Sequence, residues 1–132
     1  MHSPSRLLDK LTYRMIEVPA DQLTFEWFSA ALKTRFRVHA GPSGDFELEL
    51  VEAAIAPSKA GGRSPGGAVK LEGFSLIFTG PGDRLLPQGT YRFEHDRKGW
   101  FDLFMVPVGR GPDTIRYQVV FNRLIPEAQP PV

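Results

Sequence analysis

The sequence predicts an all-β domain: an antiparallel β-sandwich or partly open barrel of about six to seven strands with one short N-terminal helix. Two observations lead there. Apolar and polar residues alternate with a period of two along most of the stretch from Phe36 to Phe121, the pattern of strands that bury one face. The chain has 132 residues, of which 13 are Gly and 12 are Pro, so short strands and tight turns are favoured over long helices. The leading aromatic is Phe, with 10 copies, and a chain of this length supports a single core.

Three segments divide the chain: an N-terminal arm at 1–22, a β domain at 23–123 and a C-terminal tail at 124–132. In the arm, Leu7, Leu8, Leu11 and Met15 fall near helical spacing and Pro19 ends any continuation. Thr24 then reads as the N-cap of a two-turn helix whose stripe is Phe25, Phe28 and Leu32, a plug for one end of the sheet structure. Trp27 lies off that stripe and is expected to extend the buried face.

The next two strands align as a hairpin around a loop at 41–45, with Phe36 facing Leu50 and Val38 facing Leu48. On the opposite side Arg37 then meets Glu49 and His39 meets Glu47, so one register sets apolar residues inward and paired charges outward. Residues 56–70 are rich in Gly and Pro without periodicity and read as a loop or flap. Phe74, Leu76 and Phe78 alternate with Ser75, Ile77 and Thr79 as a strand, and the chain turns at Gly80-Pro81-Gly82-Asp83.

A meander of strands at 90–95, 100–108 and 114–122 completes the domain. Asp96-Arg97-Lys98-Gly99 suits a turn with Gly99 in a left-handed conformation, setting Phe93 opposite Leu103 and Tyr91 opposite Met105. The second hairpin sets Met105 opposite Tyr117 and Phe101 opposite Phe121. Odd-numbered residues of all three strands thus form one apolar face. The other face is mixed: Phe104, Val106 and Val120 share it with Asp102, Arg116 and Gln118. Such a face calls for cover, and the helix, the arm or the long loop is expected to supply it ahead of another chain.

Charge and composition exclude several functions. Sixteen Lys and Arg against fifteen Asp and Glu leave a net charge of +1, too little for non-specific attraction to nucleic acid or an anionic membrane. The absence of Cys removes thiol catalysis and thiolate metal sites, and it agrees with a cytoplasmic location. No secretion signal and no membrane-spanning run is read.

Candidate chemistry is sparse. His39, His95 and Glu47 are the best acid/base or metal material, but their spacing matches no ligand motif, and His39 with Glu47 reads as an outward cross-strand pair. No Ser lies in a nucleophile elbow. The run Gly61-Gly62-Arg63-Ser64-Pro65-Gly66-Gly67 lacks the Lys of a phosphate loop. Arg35, Arg37, Arg92 and Arg116 would make a nucleic-acid platform only if Glu47, Glu49, Glu94 and Asp102 did not share their faces. Trp100, just after a tight turn, reads as either an exposed anchor or a cover for a sheet edge.

The runs Phe74-Ser75-Leu76-Ile77-Phe78-Thr79-Gly80-Pro81, Leu86-Pro87-Gln88-Gly89-Thr90-Tyr91, Leu103-Phe104-Met105-Val106-Pro107-Val108-Gly109 and Tyr117-Gln118-Val119-Val120-Phe121-Asn122 resemble a bacterial family of small uncharacterised all-β domains. The resemblance covers residues 23–123, and its most specific piece is the Leu-Pro-Gln-Gly-Thr-Tyr turn. It brings no catalytic residue. Some members lie near phage-tail-collar-like proteins, so it implies an accessory or assembly role.

The expected function is therefore non-enzymatic, with no cofactor: a protein-interaction or structural accessory module of a phage-tail-like assembly, binding a protein partner or itself. Its partner surface is expected to include Trp100, Phe104, Val106, Val120 and Arg116. The first alternative is a barrel holding a small apolar ligand among Tyr91, Phe93, Phe101, Leu103, Tyr117 and Phe121. The second is single-stranded nucleic-acid binding.

Overall fold

The computed structural model describes residues 16–55 and 69–126, with the backbone alone for 69–72 and 123–126. The expectations for residues 1–15, most of the 56–70 loop and residues 127–132 lie outside the described residues. Six antiparallel strands form the fold: β1 (Arg35–His39), β2 (Asp45–Ile55), β3 (Val69–Pro81), β4 (Gly89–His95), β5 (Gly99–Arg110) and β6 (Thr114–Pro126). Their order is β1-β2-β3-β6-β5-β4, and β4 pairs back onto β1, so the sheet closes into a barrel and is neither a sandwich nor partly open. β3 and β6 run farther than the alternation suggests, pairing continuously from Val69↔Pro126 to Pro81↔Thr114.

The expected faces are observed, but the expected registers are each displaced by two residues. Phe36 faces Leu48 and Val38 faces Phe46, because the loop of the first hairpin begins at Ala40, contains a 3-10 turn at Gly41–Ser43 and ends on Gly44 at φ 86°. Phe93 faces Phe101 and Tyr91 faces Leu103, because His95 already pairs with Gly99 and the turn holds only three residues. In the third hairpin Pro107 faces Tyr117, and neither Met105–Tyr117 nor Phe101–Phe121 pairs. A two-residue slip keeps each side chain on its face, which is why the burial pattern survives the error.

Two bulges bend the closed sheet. The first falls between Leu50 and Glu52 in the pairing with β3; on the other side of β2, Lys33 N–H donates to the Leu50 carbonyl at 2.7 Å and Leu50 N–H to the Thr34 carbonyl at 3.1 Å. Lys33 takes a left-handed φ of 67° to reach that position. The second bulge falls between Pro107 and Gly109 and leaves Val108 as the extra residue.

Among the described residues one α-helix, α1 (Phe25–Ser29), seals one end of the barrel. As expected, Thr24 caps it, its hydroxyl accepting from Trp27 N–H at 3.1 Å, but it spans 5 residues instead of two full turns. Phe28 is fully buried, with its ring centroid 5.8 Å from Phe101, 5.5 Å from Phe121 and 6.1 Å from Phe74. Trp27 is half-buried, edge-on to Phe101 at 5.4 Å and covered by the Lys98 ammonium at 4.6 Å.

Below the helix the barrel is filled by rings. Phe36, Phe78, Phe93 and Tyr117 are fully buried, and Phe36 touches Phe78, Phe93 and Phe101 at centroid distances of 5.4, 6.5 and 6.1 Å. The Tyr117 hydroxyl accepts from Leu86 N–H at 3.0 Å, so this buried polar atom is satisfied.

Candidate interaction surface

β5 changes partners along its length. Its residues from Gly99 to Met105 pair with β4, and those from Val106 to Arg110 pair with β6. At Trp100, the N-terminal arm takes up the side of the strand that β4 leaves free: Glu17 bridges Trp100 in parallel, Trp100 N–H donates to the Ile16 carbonyl at 2.9 Å, and Val18 N–H donates to the Trp100 carbonyl at 2.8 Å. Val18 is buried there and Pro19 turns the chain into a 3-10 turn at Ala20–Gln22.

All five residues expected on a partner surface occupy even positions of β5 and β6 and face outward. Trp100 is not a free tip. Its backbone holds the arm, and the Arg92 guanidinium lies 3.8 Å above its ring while reaching Asp102 at 3.6 Å. Arg116 is 3.9 Å from Glu52 across the sheet. Between these two ion pairs lie Phe104, 53% exposed, Val120, 56% exposed, and the half-buried Val106, whose neighbour across the strands is Gln118.

The described residues of α1 and the arm do not cover it: α1 turns its rings into the barrel mouth, and residues 16–18 of the arm pair at Trp100; residues 1–15 and 56–68, on which the rest of the expected cover falls, lie outside the described residues. Sequence reasoning leaves out two members of this surface. Val108 is 50% exposed at the bulge, for which Pro107 is the one visible signal. Ile77, between Glu52 and Gln118 on the outer side of β3, is only 7% exposed and gives the patch an apolar floor.

The candidate catalytic residues do not converge. His39 is on the outer side of β1, where Nδ1 lies 2.8 Å from Asp45 and Nε2 lies 3.1 Å from Glu94. The two carboxylates meet opposite nitrogens of one ring and share no point at which an ion would sit. Glu47, expected opposite His39, pairs instead with Arg35 at 3.3 Å. His95 lies on the inner side of β4, 8% exposed, its ring 4.8 Å from Phe36. Among the described residues no group of three His, Asp or Glu is placed to hold a metal, and no helix is long and apolar enough to cross a membrane.

An outer groove of about 190 Å³ is lined by Arg35, Glu47, Glu49, Thr79, Gly80, Pro81 and Thr114. Its arginine is already engaged by Glu47, which leaves the groove without an unpaired cation. Neither curated proteins nor solved structures yield a match to this chain. A match to a domain of unknown function, DUF6916, runs over residues 23–121, from the residue before the helix cap to the last inward phenylalanine of β6, and by that extent the chain belongs to the DUF6916 family.

Proposed function

We propose that this domain is a non-enzymatic protein-interaction module, a structural accessory of a bacterial phage-tail-like assembly, and that it docks a protein partner on the outer face of β3, β6 and β5. One observation carries the reading: Phe104 on β5 and Val120 on β6 stand more than half exposed on the outer side of a barrel whose interior is packed with its own rings. Adjacent exposed apolar side chains framed by charges have the composition of a docking patch.

The charges at its margins describe the partner. Arg92 with Asp102 lies at one side and Arg116 with Glu52 at the other, so the fitting surface is an apolar ridge flanked by both signs of charge. A nucleic-acid backbone is a poorer fit, since Arg92 and Arg116 each already lie beside a carboxylate. The apolar-ligand alternative is less favoured because Phe93 and Phe101, expected to line its cavity, stack on each other at 5.9 Å.

Size-exclusion chromatography with light scattering, combined with pulldown from the native host, tests the proposal. The wild-type chain should self-associate or retain a defined partner, and the double substitution Phe104→Glu with Val120→Glu should abolish it while leaving the fold intact. A strict monomer that retains nothing, or equal retention by the double variant, would defeat it.

A further inference from the structure

We propose that His95 is a proton-operated latch: in its neutral form it fastens the tip of the β4–β5 hairpin, and with it the N-terminal arm, to the turn after α1, and protonation releases both. The latch does not rest on the docking proposal: the His95 ring lies on the inner side of β4, and it touches the docking face only where the hairpin reaches Trp100.

Three hydrogen bonds fix the state of the ring. Arg97 N–H points at Nδ1 at 3.1 Å, so Nδ1 must be the bare acceptor. Thr34 donates its hydroxyl proton to the Ala31 carbonyl at 2.6 Å, which leaves its oxygen to accept from Nε2–H at 2.9 Å. The neutral Nε2–H tautomer satisfies every partner at once. A second proton has no place: on Nδ1 it would face the Arg97 amide, donor against donor.

The surroundings act in the same direction. Burial holds the His95 pKa below its ordinary value of 6.5, the neighbouring Lys98 and Arg97 lower it further, and Asp96 alone opposes them. The other elements against the ring present Thr34 and the Phe36 ring, neither of which titrates near neutrality. Because the folded pKa is depressed, the contribution is intact above the unfolded value near 6.5 and is lost as pH falls below it.

The latch reaches the arm through the hairpin. His95 pairs with Gly99, and the next residue, Trp100, supplies both hydrogen bonds that hold Ile16 and Val18. Loosening the turn at Arg97 therefore loosens the only strand pairing of the arm among the described residues.

The test is an NMR titration with amide exchange, corrected for intrinsic rates, from about pH 7.5 to about pH 5. Nitrogen shifts should identify the Nε2–H tautomer, with a midpoint below that of an unstructured histidine. Protection of the Val18 and Trp100 amides should fall by at least about tenfold more than that of the Phe78 amide. In His95→Gln, which keeps a donor and an acceptor but gains no proton, that differential loss should vanish, whereas His39→Gln should retain it. An Nδ1–H tautomer, a midpoint at or above the ordinary value, or an unchanged differential loss in His95→Gln would overturn the latch. The first two readings need only the wild-type protein, so they hold even if the variant fails to fold.

Discussion

The two sides of β5 make opposite use of the same kind of residue. Facing inward, Phe101, Leu103 and Met105 are 2, 5 and 0% exposed; facing outward, Phe104 is 53% exposed and Val108, at the bulge, 50%. Within the inner set, Phe101 is held by Phe36 of β1, Phe93 of β4 and Trp27 and Phe28 of α1. Among the described residues the outer set is flanked by two ion pairs, each of a kind worth about 1 kcal/mol or less. Stability is concentrated on the inner side, and the outer side is where the proposed partner would dock.

Substitutions can break that contrast, beginning where the largest effect is expected. Phe36→Ala empties the centre of the ring cluster and should cost about 3–5 kcal/mol in urea unfolding. Next comes Gly80→Ala, which points inward: its Cβ would collide with Leu48 Cδ2, so repacking should cost about 1–3 kcal/mol. The outer counterpart, Gly109→Ala, meets nothing nearer than Arg116 Cδ at 3.9 Å and should be close to neutral by the same measurement.

Removing the helix cap with Thr24→Ala should cost about 1 kcal/mol in thermal unfolding and tests how firmly the plug belongs to the inner side. A stability change within about 0.5 kcal/mol is expected for Phe104→Ser, with partner retention lost all the same. A large loss of stability from Phe104→Ser would place that residue in the fold and not in an interface.

This division between faces was legible in the sequence, and the registers were not. Alternation alone places Phe36, Val38, Phe93, Phe101 and Tyr117 inside, because parity is a property of each strand by itself. Register depends on how each turn closes, and the turns use interactions that composition does not announce. Arg97 N–H bonds to the His95 ring, and Lys98 N–H reaches the His95 carbonyl at 3.3 Å, tightening that hairpin to three residues.

The bulge at Val108 and the change of partner along β5 were hidden for the same reason, being set by strands distant in sequence. The outward set Trp100, Phe104, Val106, Val120 and Arg116 was readable from parity. The arm's pairing with Trp100 was not, since Glu17 and Val18 carry no strand signal of their own.

Closure of the barrel rests on Arg37↔Glu94, Val38↔Phe93 and His39↔Arg92, contacts between positions more than 50 residues apart in the chain. The β3–β6 ladder likewise joins segments separated by two intervening strands. These two pairings, unlike the hairpins, are not local, so the search for them costs chain entropy before it is rewarded. Refolding is accordingly expected on the slow, millisecond-to-second side for a domain of this size, and until β1 meets β4 the nascent sheet carries two bare margins at which neighbouring chains can join.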